Sequence, residues 1–400
     1  MTKSIMILGA GPEQVLAIMA AQKLGYEVLA VDENPKAPGL KIAETGVVNS
    51  LQDTDQLIEL GIKNRIDGVF SHGVEIPVIV SKIAESLNLP GLPVDVAMNC
   101  LHKFERNKIL KENGLNVPAS FLFKSLKDLI AAKNQLQFPC ILKPLTLSGA
   151  RGVQRIEDFN QLIHEVKSNN FYINEFIVEE ILEGMQLSTE SLIIDNELFH
   201  LPPAERNYEN DDIFLPFYIE DGVDFPAQLD NCLLKEIYDA IEQAIHALGI
   251  NFGAAKGDLY IVDGKPYILE MASRTSGGWF SVGTIKYATG IDILPPLLQS
   301  AVGDKPDLDY LIATKKLFAA QRYWISKENG IFKSVKNNNS KDCLNNTSQF
   351  DLFFPTKGTQ LSKARCHADR YAQVICVSKN IQDAISMAEN VIQKIKVTYE

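Results

Sequence analysis

Over its first ninety-odd residues the chain repeats an apolar run, a glycine or polar turn and an amphipathic segment, a rhythm that few folds tolerate. "SIMILGAG" (4–11) reads as a strand entering a glycine turn, and "EQVLAIMAAQKLG" (13–25) as a helix closed by Gly25. "YEVLAVD" (26–32) is a second strand, "IDGVFSHG" (66–73) a later one, and "IPVIVSKIAESLN" (76–88) a helix stopped by "LPGLP". Such alternation predicts a parallel sheet with helices on both faces. The turn "GAGPEQ", with Asp32 some twenty residues on, invites a dinucleotide site, but Gln14 stands where the third glycine of that fingerprint belongs. That glycine lets the helix pack closely beneath a pyrophosphate. A Rossmann-like domain kept for architecture and for part of a substrate cleft is therefore expected.

The rhythm then changes. From about 97 to 117 the chain reads as one helix, followed by a strand "ASFLF" and a helix "SLKDLIAAKNQLQ". "FPCILKPLTLSGARGVQRI" (138–156) is a strand, a glycine-containing loop and a second strand, and "FYINEFIVEEILEG" (171–184) a strand run. "QLSTESLIIDNELFHLP" reads as a hairpin turning at Asp195-Asn196, residues 205–227 as a long polar-aromatic loop, and "LDNCLLKEIYDAIEQAIHALG" (229–249) as a long amphipathic helix. "AKGDLYIVDGKPYILEM" (255–271) is another hairpin, at Asp263-Gly264. The tail from about 311 is a smaller unit holding a mobile loop, "SVKNNNSKDCLNNTSQ", and a closing helix, "NIQDAISMAENVIQKIK". Three units are expected, at 1–96, 97–310 and 311–400: an α/β domain followed by α+β architecture. A chain of 400 residues is too long for one ordinary core.

The net charge of −11 argues against a nucleic-acid surface, and no apolar run reaches the roughly 20 residues of a membrane span. Six cysteines without a C-x-x-C pair are expected to be reduced core thiols in a cytoplasmic protein.

Three features carry chemistry. Lys143 ends the apolar strand "PCILK", where a lysine is either a snorkelling edge residue or a phosphate contact. "SGARG" (148–152) follows, either an ordinary hairpin turn or a loop whose N–H groups fold around phosphate oxygens. Asp258 and Glu270 lie on the two arms of the Asp263-Gly264 hairpin. An odd-numbered loop there would set them face to face, and facing carboxylates repel unless a cation bridges them. Mg²⁺ suits that role, since it takes one or two carboxylates and fills its other positions with water and phosphate oxygens.

With these residues in place the chain resembles the ATP-grasp enzymes of the carboxylate–amine ligase type, related to biotin carboxylase and the amino-acid ligases. The resemblance runs in order through "ILGAGPEQ", "LHKFERNKILKENGLNVP", "CILKPLTLSGARGV", "IVEEILEGMQLSTESL", "GDLYIVDGKPYILEMASR" and "DRYAQVICVSKNIQDAISMAE". It implies a Rossmann-like N-terminal domain, an ATP-grasp domain of two α+β subdomains and a small C-terminal α+β domain. It further implies that Lys103 and Lys143 touch ATP phosphates and that Ser148, Gly149, Arg151 and Gly152 form a lid. Glu179, Glu180 and Leu182 would span an adenine hinge, with Gln186 at the ribose. Asp258 and Glu270 would hold Mg²⁺ (or Mn²⁺), and Arg274 would steady an acyl phosphate. Two positions depart from the family: Ala272 stands where an asparagine ligand is usual, and Gln186 where an acid or histidine is.

The activity implied is ATP-dependent activation of a small carboxylate as an acyl phosphate and its capture by an amine, giving ADP and phosphate. A bicarbonate-using carbamoyl-phosphate or carboxyphosphate enzyme and a degenerate nucleotide-binding protein are the alternatives. Arg206, Lys256 and Arg274 are candidates for gripping a carboxylate, and the acids of 205–227 for drawing in a cationic amine or for an ordinary solvated face. "TSGGW" (275–279) is either a wall around a small acceptor or a helix-entry turn. Small-molecule substrates are expected, no nucleic acid or membrane partner, and a homodimer is compatible with the resemblance.

Overall fold

The computed structural model describes residues 2–172 and 174–400. Its N-terminal sheet is parallel, ordered Thr45–Val48, Glu27–Asp32, Ser4–Leu8, Gly68–Ser71. Ile5, Met6, Ile7 and Leu8 are all fully buried, as a central strand covered on both faces requires. Met6 and Leu8 pack under helices Thr54–Asn64 and Pro77–Ser86. Ile5 and Ile7 pack under helix Gln14–Lys23, and the same cluster takes in Leu294, Leu297 and Leu298 from a helix almost three hundred residues later. The short edge strand Thr45–Val48 carried no strand pattern of its own.

A second sheet is antiparallel, ordered Ser120–Phe123, Phe176–Glu180, Cys140–Pro144, Gln154–Ile156, with helix Phe159–Ser168 against one face. Of the strand run expected over 171–184, residues 176–180 are strand, and residue 173 lies outside the described residues.

A third sheet, of nine strands, spans much of the remaining chain. Lys265–Ala272, Gly253–Val262 and Met185–Ile194 lie at one end, and Phe318–Ile325, Arg370–Ser378 and Gln349–Leu352 at the other. Ala204–Asn207 and Gly222–Phe225 join them, so the segment read as a long loop is two strands flanking a one-turn helix, Asp211–Phe214. Strands on both sides of residue 311 thus share one sheet. The tail segment read as mobile forms part of strand Gly330–Asn337 and a short helix, Lys341–Asn345. Asp195-Asn196 and Asp263-Gly264 make two-residue turns with all four residues at positive φ, the geometry that matches strand twist.

Helix Asn231–Leu248, capped by the Asp230 side chain on Leu233 N–H at 2.9 Å and closed by Gly249 at φ +77°, packs Ile237, Ile241 and Ile245 against one face of the large sheet. That leaves the opposite face of the strands Met185–Ile194, Gly253–Val262 and Lys265–Ala272 free to line a cavity. All six cysteines are free thiols, and no helix among the described residues is long and apolar enough to cross a membrane.

Candidate active site

A cavity of about 680 Å³ opens between the three sheets just described, lined from the N-terminal glycine turn, the second sheet and both ends of the third. Asp258 and Glu270 face each other on its floor, but not because of the turn. The hairpin pairs Val262 with Lys265 and Leu259 with Ile268, and the register then shifts so that Asp258 opposes Glu270. Leu269 is the extra residue of a β-bulge. A bulge breaks the two-residue alternation, so Ile268 and Met271 both point into the core while Glu270 points into the cavity. Buried Arg106 braces it, donating from Nη2 to Leu269 O at 3.0 Å and from Nη1 to Cys100 O at 3.4 Å.

What meets Glu270 is Lys256, whose Nζ lies 3.0 Å from Glu270 Oε2 and also bonds Asp258 Oδ2. Burial opposes a charge on Glu270, yet Lys256, Arg106, Arg274 and Lys103 outweigh it and hold its carboxyl well below the usual range. Asp258 further accepts from Ser188 Oγ at 2.7 Å and pairs with Arg206 Nη1 at 3.0 Å.

The expected single helix over 97–117 breaks at His102 into Val94–Leu101 and Lys103–Glu112. His102 Nδ1 caps the second helix on Glu105 N–H at 3.2 Å, which puts Lys103 at its start. The Lys103 ammonium is held by carbonyls, Leu147 O at 2.7 Å and Leu145 O at 3.3 Å, with no carboxylate partner among the described residues. Burial pushes it down to about 8, with Arg106 and Lys143 adding to the fall and Glu270 opposing it. Lys143 lines the cavity and pairs with Glu179, whose side chain is 1% exposed and also accepts from Asn107 at 3.2 Å. Glu179 itself does not line the cavity.

Glu180, Leu182 and Gln186 do line it. The Glu180 carboxylate and N–H are taken by Ala119, at 2.8 and 3.0 Å, whereas the N–H groups of Ile181 and Leu182 have no partner among the described residues. Gln186 bonds the Tyr260 hydroxyl, also in the lining. Of the glycine loop, Ser148 and Gly149 reach the cavity. Arg151 does not: it is exposed and folds back on Ser148 O at 3.1 Å. Gly152 is buried below the loop, where a Cβ would come within 2.9 Å of Phe171 Cδ2 and 3.1 Å of Pro144 Cγ, so it serves packing. The loop is tied across the cavity by His367 N–H to Gly149 O at 3.0 Å.

Arg274 lines the cavity and donates to Glu75 of the N-terminal domain, from Nε at 2.7 Å and from Nη2. The glycine turn reaches the same corner. Glu13 accepts the N–H groups of Gly278 and Trp279 at 3.1 and 2.8 Å, and buried His72 bridges Glu13 and Thr275 at 3.1 and 2.8 Å. Those bonds hold Trp279 at φ +65°, a conformation that non-glycine residues seldom adopt. Buried Glu190 accepts Ser276 N–H and Ser281 Oγ from below. The "TSGGW" turn is thus both cavity wall and entry to the helical segment that follows.

Three of the acids of 205–227, Glu220, Asp221 and Asp224, are engaged internally, Asp221 by Asn210 at 2.7 Å. Glu220 pairs with Arg206 at 2.5 Å and with Arg370 at 3.3 Å, and Arg370 stacks over Tyr323 at 4.1 Å. Asp224 pairs with Arg322 at 2.7 Å.

The donor set suits a divalent ion in kind. Glu270 Oε1 accepts nothing among the described residues, and Mg²⁺ needs only one or two carboxylates where phosphate and water supply the rest. No group of three or more acidic, histidine or cysteine side chains that could hold a metal by itself occurs among the described residues. Sequence reasoning passed over Arg106, Glu75, Glu13 and His367. Arg106 alone left a signal, three residues after Lys103 on the same helical face.

Residues 100–278 match the family model described as ATP-grasp domain. The chain is 20% identical over 388 residues to the uncharacterized protein y4rH of Sinorhizobium fredii, covering 94% of this chain and 76% of that one. It is 24% identical over 328 residues to the carbamoyl phosphate synthase large chain of Pseudothermotoga lettingae, covering 76% of this chain but only 28% of that protein. The crystal structure of an L-amino acid ligase from Bacillus licheniformis superposes with a TM-score of 0.84 at 22% identity, covering 100% of this chain and 99% of the other.

Proposed function

We propose, from the match of residues 100–278 to the ATP-grasp domain family, that the protein is an ATP-dependent ligase that activates a small carboxylate as an acyl phosphate and joins it to an amine. The observation that carries this reading is the gathering, around one cavity, of backbone donors at Ile181 and Leu182 that are unpaired among the described residues, the Lys103 and Lys143 ammonium groups, the Asp258/Glu270 pair and Arg274. A planar base accepts from the two N–H groups beside strand Phe176–Glu180. The phosphates then run toward the lysines, where Lys103, held by carbonyls and without a carboxylate partner among the described residues, has its charge to give. Mg²⁺ on Glu270 would neutralise the oxygens of the terminal phosphates.

The substrate carboxylate attacks the γ-phosphorus and ADP leaves. Lys143 and Arg274 lie where negative charge spreads over the transferring group, and preorganised charge of that kind lowers the barrier. The glycine loop, tied to His367, keeps water from the acyl phosphate. An amine then forms the C–N bond as phosphate departs. The likeness to an L-amino acid ligase supports an amino-acid-sized acceptor, and that to a carbamoyl phosphate synthase large chain keeps bicarbonate as a second reading.

The test is chromatography of the nucleotide products over a panel of carboxylate and amine pairs, with and without bicarbonate. ADP and phosphate in equal amounts, dependent on both substrates, are expected. AMP as the main product would overturn the phosphate assignments, because charge clustered at the terminal phosphates does little for attack at the α-position.

A further inference from the structure

Two rows of side chains cross the cavity face of the strands Met185–Ile194, Gly253–Val262 and Lys265–Ala272. Ser188, Asp258 and Glu270 form one row, and Glu190, Lys256 and Ala272 the next. Residues directly opposite on neighbouring strands share a face, with Cβ atoms roughly 5 Å apart. Ala272 ends at its Cβ, so Lys256 beside it has room to lay its chain along the floor and bring its ammonium onto both carboxylates. An asparagine at 272 would fill that space.

The occupancy of the carboxylate oxygens is lopsided. Asp258 Oδ1 accepts from Ser188 at 2.7 Å, and Oδ2 is shared by Lys256 and by Arg206 at 3.0 Å. Oδ2 thus faces two cations, the Lys256 ammonium that donates to it and the Arg206 guanidinium paired with it. Glu270 gives Oε2 to Lys256 and keeps Oε1 without a donor among the described residues. A divalent ion bridging both acids would have to share Asp258 with the ammonium and the guanidinium. One held on Glu270 Oε1 would not.

We propose that Lys256 is a resident cation of the carboxylate pair, supplying the charge that a second divalent ion would otherwise bring, so that the nucleotide-bound centre takes one divalent ion, on Glu270. This rests on the reading of the cavity as an ATP site. It also gives the alanine at 272 a physical reason: the position has no metal to ligate and must leave room for the lysine.

The experiment is Mn²⁺ titration followed by the electron paramagnetic resonance of the free ion, with the full chain, in the presence and absence of a non-hydrolysable ATP analogue. The wild type should bind one Mn²⁺ per chain with the analogue. Lys256→Met should bind a second ion with the analogue, and without it should bind Mn²⁺ about tenfold more tightly, because two carboxylates are then left to the ion. Lys256→Arg, which keeps the charge, should stay at one ion. Two ions on the wild type would overturn the proposal whatever the variants do. So would a folded Lys256→Met protein, checked by circular dichroism, that matches the wild type in number and affinity. Failure of the ATP analogue to bind would instead count against the ATP site, and the nucleotide-free comparison of wild type with Lys256→Met would still decide the role of Lys256.

Discussion

Raising the pH should weaken nucleotide binding through one residue. Lys103 is half-buried at the start of its helix with carbonyls for partners, and its ammonium is pushed down to about 8 from an ordinary 10.5. It is then about nine-tenths charged at pH 7 and about one-tenth charged at pH 9. A bound phosphate would hold the proton well above that range. The apparent affinity for an ATP analogue should therefore fall about tenfold between pH 7 and pH 9, or roughly 1.4 kcal/mol, and binding above pH 8 should take up a proton. Titration calorimetry in buffers of different ionisation enthalpy reads both quantities. Lys103→Arg, charged throughout, should flatten the profile, and Lys103→Met should bind weakly at either pH. The sign for the empty protein is the reverse. Its folded-state value lies below the unfolded one, so the unfolded chain binds more protons between about 8 and 10.5, and stability rises with pH across that window. Equal affinity at pH 7 and pH 9, or an undiminished slope in Lys103→Arg, would refute the reasoning.

Lys143→Ala should cost stability as well as nucleotide affinity. It strands the Glu179 carboxylate, 1% exposed, without a cation, and removing one partner of a buried pair costs about 3–5 kcal/mol. Chemical denaturation should show this, and adding Glu179→Gln should recover stability but not affinity; a Lys143→Ala protein as stable as the wild type would mean the pair contributes nothing. The amides of 148–152 should exchange quickly in the empty protein and slowly with an ATP analogue, since a Cβ at Gly149 would meet nothing within 4 Å and the loop's tie across the cavity is His367 N–H. Equal protection in both states would remove the lid.

The parts of the site that could be read in advance are those whose signal is local. Asp263-Gly264 announces a turn, though not its length, and Lys143 and Glu270 stand out as charges ending apolar strands. The residues passed over act through distance. Glu75 meets Arg274 from 199 positions away, and His367 meets Gly149 from the far end of the large sheet. No window of sequence holds both members of either pair. Lys256 was singled out, but as a grip for substrate. Only the pairing of three strands shows that it lies beside Ala272 and over two carboxylates.

By itself the sequence determined most of the element types, since periods of two and of three to four residues and the turn residues between them act over a few neighbours, but not the strands within 205–227. It also determined the chemical kinds of group available and their order along the chain. Tertiary structure decided which of those groups meet. The single extra residue at Leu269 shifts the phase of one strand and turns Glu270 toward Asp258. A bulge is selected by how Ile268 and Met271 both find the core and by the Arg106 guanidinium waiting for the Leu269 carbonyl. Those energies belong to contacts formed only once the chain has closed on itself, and no local pattern records them.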